Sequence, residues 1–308
     1  MHNRIRELLR EKNAILLAHN YQRPEVQDVA DLCGDSLELS LKASKTDAEV
    51  IVFCGVHFMA ETASIACPDK TVILPVLNAG CPMADDITPE ALLKRKAELP
   101  GVPVVTYVNS PASVKALSDI CCTSANAIEV VNSLDADRVL MTPDRNLAKY
   151  VATRTDKEIL FWDGCCPIHD RMTREDVLEA KAAHPGALFM AHPECSPEVL
   201  ELADKIFSTS GMLSYAHESD IESFIVGTEE GLLYPMRRDN PGKKFYLAWE
   251  GLICEDMKRT HLADVLRALE NVDHIIKVPE NIRIPAFKAV KRMLEIFVSP
   301  SSNDSSER

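Results

Sequence analysis

Several signatures that would assign a function at once are missing from this 308-residue chain. No apolar run is long enough to span a bilayer, and the charged segment at residues 1–12 lacks the apolar core of a signal peptide. No block of lysine and arginine offsets the net charge of -13, so there is no basic face for nucleic acid. We therefore predict a cytoplasmic protein with neither a membrane nor a nucleic-acid partner.

The ten cysteines also lack any short-range pattern. The chain has no C-x-x-C, none of the paired Cys/His spacings of zinc fingers, and no C-x-x-x-C-x-x-C of radical enzymes that use S-adenosylmethionine. Disulfides are not expected in a reducing compartment. If a metal is bound, its cysteine ligands must therefore come from distant parts of the sequence.

An internal repeat is the strongest feature of the sequence. Three apolar runs each end in a polar cluster, and they read AILLAHNY, VPVVTYVN and ALFMAHPE. A hydroxyl residue follows each cluster after 17 positions, in the pairs His19 and Ser36 (36 − 19), Tyr107 and Ser124 (124 − 107), and His192 and Thr209 (209 − 192). Each unit leads to a cysteine, and Cys81, Cys166 and Cys254 recur at intervals of 85 (166 − 81) and 88 (254 − 166) residues. Several matches in the same order indicate a triplicated unit.

Each unit is predicted to run strand, helix, helix, strand, helix, strand. The strands are short and continuously apolar, as expected when helices cover both faces of a parallel sheet. We therefore predict an α/β fold of three pseudo-symmetric, three-layer αβα domains with parallel sheets around a central active site.

The predicted domains are residues 1–85, 86–172 and 173–258. The first is expected to be completed by residues 259–298, with a helix at 259–269, a strand at 274–278 and a helix at 285–297, together with an N-terminal helix at 2–12. The polar tail at 299–308 is expected to be disordered.

Cys81, Cys166 and Cys254 are the candidate metal ligands. Ligands bind beyond the carboxyl ends of parallel strands, so a threefold arrangement would bring these cysteines to one cavity. Soft sulfur ligands select zinc, copper(I) or an iron–sulfur cluster, and three thiolates leave one coordination position open. The alternative for any single cysteine is a buried structural thiol, which is how we interpret the others; Cys195 is expected near the cavity without a ligand role.

Polar residues that end the first strand of each unit are the candidate acid–base and binding groups: His19, Tyr21, Tyr107, Asn109, His192 and Glu194. Two histidines at matching points, followed two residues later by a tyrosine and a glutamate, are typical of acid–base sites. Ser36, Ser124 and Thr209 stand where helices could begin, so they could cap those helices or bind an anion with them. His169 is expected to orient the loop of Cys166, and no role is evident for Asp144.

Seven segments carry a specific resemblance: AHNYQRPEVQDVADLCGDSLELS, GVHFMAET, GCPMAD, TYVNSPASVKALSDICCTSANA, PDRNLAKYVA, CPIHD and HPECSPEV. Together they resemble, in order, the signature segments of the quinolinate synthase family, an iron–sulfur family also called quinolinate synthetase A. The resemblance implies a transferase that condenses iminoaspartate with dihydroxyacetone phosphate to quinolinate, phosphate and water in NAD biosynthesis. It also implies functional coupling to an aspartate-oxidising enzyme.

The same resemblance implies a 4Fe–4S cluster that acts as a Lewis acid and is held by Cys81, Cys166 and Cys254. It implies Tyr21 and Glu194 as the acid–base pair, with His192 assisting. Substrate contacts would come from His19, Ser36, Tyr107, Asn109, Ser124, His192, Glu194 and Thr209. Some members of the family carry a C-x-x-C around the last ligand, but this chain has Glu255, Asp256 and Met257 there, so that version of a redox switch is absent.

Two other interpretations use the same pocket. A zinc-dependent hydrolase that held its metal with the three thiolates and a water would be colourless and indifferent to air. An iron–sulfur or metabolite sensor should present a DNA-binding helix or a partner patch, and the sequence shows neither.

Overall fold

The computed structural model describes residues 1–298 and contains three four-stranded parallel sheets. The first sheet is formed by β1 (Ala14–His19), β2 (Leu32–Gly34), β3 (Val50–Cys54) and β4 (Thr71–Ile73); the second by β5 (Val104–Tyr107), β6 (Ile120–Cys122), β7 (Arg138–Thr142) and β8 (Glu158–Phe161); the third by β9 (Leu188–Ala191), β10 (Lys205–Ile206), β11 (Ser223–Gly227) and β12 (Lys244–Leu247). The strand orders are β2-β1-β3-β4, β6-β5-β7-β8 and β10-β9-β11-β12. The same order in all three sheets confirms the predicted triplicated α/β fold.

Five helices accompany each sheet at matching places in the chain. The first unit has α1 (His2–Glu11), α2 (Pro24–Val29), α3 (Ser36–Lys45), α4 (His57–Ala66) and α5 (Pro82–Asp85); the second has α6 (Pro89–Glu98), α7 (Ala112–Lys115), α8 (Ala127–Asn132), α9 (Arg145–Ala152) and α10 (Pro167–Asp170); the third has α11 (Arg174–Ala183), α12 (Pro197–Leu200), α13 (Thr209–Glu218), α14 (Leu233–Asp239) and α15 (Glu255–Lys258). A 3-10 turn, Glu230–Leu232, precedes α14, and α16 (Leu262–Asn271) and α17 (Glu280–Val298) close the described chain. No helix within residues 1–298 is long and apolar enough to cross a bilayer.

The second strand of each unit corrects the sequence interpretation. The predicted order has a second helix directly after the first, but in the first unit the first of these helices ends at Val29 and a three-residue strand follows from Leu32. The aspartate between them explains the change, because Asp31 accepts the N–H of Leu16 at 2.8 Å and donates its own N–H to the Leu16 carbonyl at 2.9 Å. This exchange fixes the chain beside β1, where it continues as an edge strand.

The other two units use the same aspartate in the same way. Asp119 accepts the N–H of Val104 at 2.8 Å and returns its own to the Val104 carbonyl at 3.0 Å. Asp204 does so with Phe189, also at 2.8 and 3.0 Å. The repeat therefore extends to individual hydrogen bonds.

The C-terminal segment differs from its prediction. In place of a strand at 274–278 there is one antiparallel bridge between Ile73 and Ile275, because Val272 and His274 adopt left-handed backbone angles (φ 52° and 55°) that interrupt an extended run. The last helix begins at residue 280, earlier than expected, with Pro285 inside it. The tail at 299–308 lies outside the described residues.

The two C-terminal helices pack against different units. Helix α16 packs on α1, whereas α17 contacts α4, α7 and β6, so it joins the first two units. One apolar cluster is shared by these two units, each of which also has a smaller cluster, while the third unit has clusters of its own. Helices α5 and α10 end at Asp85 and Asp170, and we propose domain boundaries after residues 85, 172 and 258, with 259–298 belonging to the first domain.

Hydrogen bonds join the first unit to the third. The side-chain amide of Asn20 donates to Thr209 Oγ1 at 3.0 Å, and that of Gln22 donates to the Met257 carbonyl at 2.8 Å. This polar seam lies where strand ends of both units meet, next to the site described below.

Candidate active site

A cavity of about 500 Å³ lies where the carboxyl ends of strands from all three sheets converge. It is lined by every candidate site residue named from the sequence: His19, Tyr21, Ser36, Cys81, Tyr107, Asn109, Ser124, Cys166, His192, Glu194, Thr209 and Cys254. The roles assigned to these residues stay predictions, but the structure brings the whole set to one place.

The three cysteines occupy equivalent positions in equivalent loops. Each occupies the N-cap position of a four-residue helix (α5, α10 or α15). Its carbonyl accepts the N–H of the residue four positions later: Asp85 at 3.1 Å, Asp170 at 2.9 Å and Lys258 at 3.1 Å. The carbonyl two residues before each cysteine accepts a second equivalent hydrogen bond. The donors are the N–H of His57 to Ala79 (2.8 Å), of Arg145 to Gly164 (2.8 Å) and of Glu230 to Leu252 (2.9 Å). Two equivalent backbone hydrogen bonds therefore hold each of the three loops.

The donor set fits a thiophilic metal centre. Burial raises the pKa of the Cys81 and Cys166 thiols above the ordinary range, and that of Cys254 to about 11, so the thiols are neutral at neutral pH. Binding of a cation by these sulfurs would displace their protons. The remaining cysteines do not line the cavity; Cys195, for example, is fully buried and faces the Gly227 carbonyl at 3.5 Å.

A chain of hydrogen bonds crosses the cavity from Tyr107 to Tyr21. The Tyr107 hydroxyl donates to Glu194 Oε1 at 2.7 Å, and Glu194 Oε2 lies 2.8 Å from His169 Nδ1. His169 Nε2 lies 2.8 Å from Thr228 Oγ1, which is 2.5 Å from the Tyr21 hydroxyl. The two residues predicted as an acid–base pair are thus joined through His169 and Thr228.

Sequence reasoning missed the importance of those two connecting residues. His169 does approach Cys166 Sγ at 3.2 Å, but it also stacks on His192 with ring centroids 4.7 Å apart and bonds Glu194. Its place three residues after a ligand cysteine was the available signal. Thr228 follows β11 directly and is fully buried, and nothing in its sequence context distinguishes it from a core threonine.

Burial and neighbouring charge divide the ionisable groups into proton donors and acceptors. Burial, and next the carboxylate of Glu194, raise the pKa of Tyr21 and of Tyr107 well above the ordinary range. Burial alone would raise the pKa of Glu194 too, but the hydrogen bonds from His169 and Tyr107 stabilise the carboxylate and lower that pKa. At neutral pH the site therefore holds an ionised carboxylate between protonated phenols.

Both cavity histidines of the repeat are neutral. Burial lowers the pKa of His19 and of His192 to about 3. His19 Nδ1 accepts the N–H of Tyr21 at 3.1 Å, which fixes the orientation of its ring. His192 Nδ1 likewise accepts the N–H of Glu194 at 3.3 Å. Each neutral ring therefore carries its proton on Nε2, so it can donate a hydrogen bond to a ligand without adding positive charge.

The capping role considered for the three hydroxyl residues is wrong. Helix α3 is capped by Asp35, which accepts the N–H groups of Leu37 and Glu38, and α13 is capped by Ser208, which accepts that of Gly211. Ser36 and Thr209 are the first residues inside those helices, one position beyond the cap. Ser124 lies two residues before the cap position of α8. None of the three residues is a cap, and all three line the cavity.

A second group of possible metal donors lies beside the cysteines. Donor atoms of Cys166, His169 and Glu194 are all within 4.8 Å of one another. The distance of 2.8 Å between His169 Nδ1 and Glu194 Oε2 is that of a hydrogen bond, so these two donor atoms are bonded to each other in the described structure.

Known proteins match the chain over nearly its whole length. The family described as "Quinolinate synthetase A protein" matches residues 3–295. The quinolinate synthase of Geobacter sp. (strain M21) is 58% identical over 292 residues, covering 95% of this chain and 96% of the relative. That of Methanosarcina barkeri is 56% identical over 295 residues (96% and 97%), and that of Thermodesulfovibrio yellowstonii is 53% identical over 291 residues (94% and 96%).

Each of these relatives is more than half identical to the chain over nearly the full length of both proteins. The resemblance seen in the seven sequence segments is therefore confirmed, and the chain belongs to the quinolinate synthase family.

Proposed function

We propose that the chain is a quinolinate synthase that condenses iminoaspartate with dihydroxyacetone phosphate and releases quinolinate, phosphate and water for NAD biosynthesis. One observation carries the proposal: three repeat-equivalent cysteines and a connected set of proton-transfer groups line a single cavity. The instability of an imine in water implies a nearby source, so we also propose functional coupling to an aspartate-oxidising enzyme.

Cys81, Cys166 and Cys254 would hold a 4Fe–4S cluster. When bound, a cluster with three protein ligands supplies one iron that accepts an oxygen or nitrogen atom of the reactant as a Lewis acid. Support for this donor set comes from the equivalent hydrogen bonds of the three loops and from the burial that keeps the thiols neutral until metal binds.

Binding of two anionic substrates would rest mostly on backbone dipoles and hydroxyls. The N-termini of α3 and α13 open at the cavity with Ser36 and Thr209, and helix N-termini favour carboxylate and phosphate groups. Asn109 Oδ1 is buried without a hydrogen-bond partner among the described residues, so it is available to a ligand N–H or O–H. Arg171 is the one lysine or arginine among the lining residues described, and its exposed position suits the cavity mouth.

Proton transfer would use Glu194 as the base and Tyr21 as the acid. Glu194 is ionised and held from both sides, so it can take a proton from the triose carbon during isomerisation. Tyr21 keeps its proton and can deliver it to a leaving or ring-closing atom. The connection through His169 and Thr228 lets the pair return to its starting protonation state, with His192 assisting through its ring, which stacks on His169, and through its Nδ1, which accepts the Glu194 N–H.

Anaerobic purification with iron and zinc counts, an optical spectrum and a quinolinate assay tests this function. We expect brown, iron-containing protein that forms quinolinate, and a Cys81→Ala variant that has lost most of its iron. Colourless wild-type protein with stoichiometric zinc would instead support the zinc-dependent hydrolase, with its metal at the three cysteines or at the mixed donors Cys166, His169 and Glu194. Full cluster occupancy in Cys81→Ala would remove that cysteine from the ligand set.

A further inference from the structure

One position of the repeat places a carboxylate beside two of the three cysteines. The residue before His57, Arg145 and Glu230, whose N–H groups hold the three cysteine loops, is Val56, Asp144 and Glu229 respectively. In the second and third units this residue is therefore acidic, and both carboxylates are buried, at 2% and 0% exposure.

Each of these carboxylates uses one oxygen for the amide of a candidate ligand. Asp144 accepts the N–H of Cys166 at 3.0 Å with Oδ2, and Glu229 accepts the N–H of Cys254 at 3.1 Å with Oε1. The other oxygen holds the start of the following helical turn: Asp144 Oδ1 accepts from Leu147 at 2.7 Å, and Glu229 Oε2 accepts from Gly231 at 2.8 Å. Both oxygens of both carboxylates are thus occupied by backbone donors.

The same two carboxylates are connected to the acid–base residues. Lys258 Nζ lies 2.8 Å from Glu229 Oε1 and donates to the Tyr21 carbonyl at 2.9 Å. In the second unit, Asp144 caps α9, and Asn146 in the first turn of that helix donates to the Glu194 carbonyl at 3.1 Å. Each connection therefore runs from a cysteine amide to the backbone of a proton-transfer residue.

The first unit provides the contrast. Val56 offers no acceptor, and within residues 1–298 no carboxylate accepts the Cys81 amide. The neighbouring Gly80 N–H instead donates to Asp256 Oδ1 at 3.3 Å, from the helix that follows Cys254. The Cys81 loop is therefore held by the third unit.

We propose that Asp144 and Glu229 are positioning residues that hold Cys166 and Cys254 in register with Glu194 and Tyr21. This proposal rests on the proposed function, since it concerns how hydrogen bonds fix the position of the cysteine loops relative to the proton-transfer residues. A neutral amide at either position must turn a donor toward one of the two backbone N–H groups, so that buried N–H loses its acceptor and the cysteine loop shifts.

The test compares Asp144→Asn and Glu229→Gln with matched controls. Asp163→Asn and Glu250→Gln make the same change at exposed carboxylates in the loops that lead to Cys166 and Cys254. Partners that orient metal ligands typically affect metal affinity or activity by roughly 10- to 100-fold. We expect iron release to an anaerobic chelator to be faster by that order in the two test variants, with kcat lowered and KM little changed, while both controls behave as wild type.

A third variant separates the two ends of one connection. Asn146→Ala removes the donor to the Glu194 carbonyl and one donor to Asp170, which keeps its two hydrogen bonds from Arg145, but it leaves the bond between Asp144 and Cys166. It should release iron at the wild-type rate and show a lower kcat with a displaced pH profile. If either amide variant fails to give folded protein by circular dichroism, this variant decides the matter, and an unchanged kcat overturns the proposal.

The outcomes distinguish this proposal from the one on which it rests. Wild-type protein without a cluster would defeat the proposed function, whatever the variants do. Wild-type protein with a cluster, together with test variants that release iron at the wild-type rate, would overturn the positioning roles and leave the proposed function standing.

Discussion

Thr228 provides the sharpest test of how the proton-transfer groups communicate. Its hydroxyl is fully buried and lies 2.5 Å from the Tyr21 hydroxyl and 2.8 Å from His169 Nε2. Thr228→Val keeps the shape of the side chain and removes both hydrogen bonds. Tyr21 then loses its link to His169 and so to Glu194, although no residue that lines the cavity has been changed.

The expected magnitude follows from the hydrogen bond to the acid. A hydrogen bond that involves a developing charge contributes about 1.5–3 kcal/mol, and each 1.36 kcal/mol is a factor of ten in rate. Thr228→Val should therefore lower kcat by roughly 10- to 150-fold. Thr228→Ser keeps the hydroxyl and loses one methyl group, at about 1 kcal/mol of stability, so its kcat should stay within about threefold of wild type.

The assay is steady-state quinolinate formation under anaerobic conditions, with iron content measured on the same samples. Iron must stay at the wild-type level in both variants for the comparison to report on proton transfer. Wild-type kcat in Thr228→Val would show that Tyr21 and Glu194 act independently, and the connection through His169 would then be structural only.

Four further outcomes are expected. Glu194→Gln should keep its iron and lose kcat by roughly 10²- to 10⁴-fold, the usual contribution of a general base; unchanged turnover would refute its role. Cys165→Ala should retain full iron, because Cys165 does not line the cavity, and a loss of iron comparable to that of the Cys81 variant would contradict the assigned ligand set. The free energy of unfolding of the iron-free protein should fall as pH drops below about 6.5, because unfolded His19 and His192 take up protons that burial excludes down to a pKa of about 3. Each histidine lowers that free energy by about 1.4 kcal/mol per pH unit. A denaturant midpoint that does not change between pH 6.5 and 5 would count against this explanation. Asp204→Ala should lower the free energy of unfolding by about 1–3 kcal/mol, because the Phe189 N–H loses its acceptor, whereas Asp204→Asn, which keeps an oxygen there, should lose less in the same urea titration.

The repeat made much of the fold predictable. Apolar runs of the length of a strand and helical patterns recur with the same spacing, so an error in one unit could be checked against the other two. The class of fold and the parallel sheets are confirmed. The short second strands were missed because two or three residues carry too little periodicity to be separated from the preceding helix.

The site was predictable only in part, for a related reason. Residues at strand ends, such as His19 and Glu194, stand out because a polar side chain interrupts an apolar run. Thr228 and Asp144 also follow strands but resemble ordinary turn residues, and their partners are far away in the chain. Helix caps were misplaced by one residue at Ser36 and Thr209, which a pattern of hydroxyl residues cannot resolve.

The sequence by itself determined that three similar units exist, that each is a parallel sheet covered by helices, and that Cys81, Cys166 and Cys254 are equivalent. These properties follow from local patterns of polarity and from their spacing. Only the tertiary structure decided that His169 and Thr228 join Tyr21 to Glu194, and that Asp144 and Glu229 hold two of the cysteine amides. The bonds of Thr228 to Tyr21 and His169 depend on how the units pack, whereas those of Asp144 and Glu229 depend on how two loops meet within one unit. Neither kind of contact leaves a periodic signal in the chain.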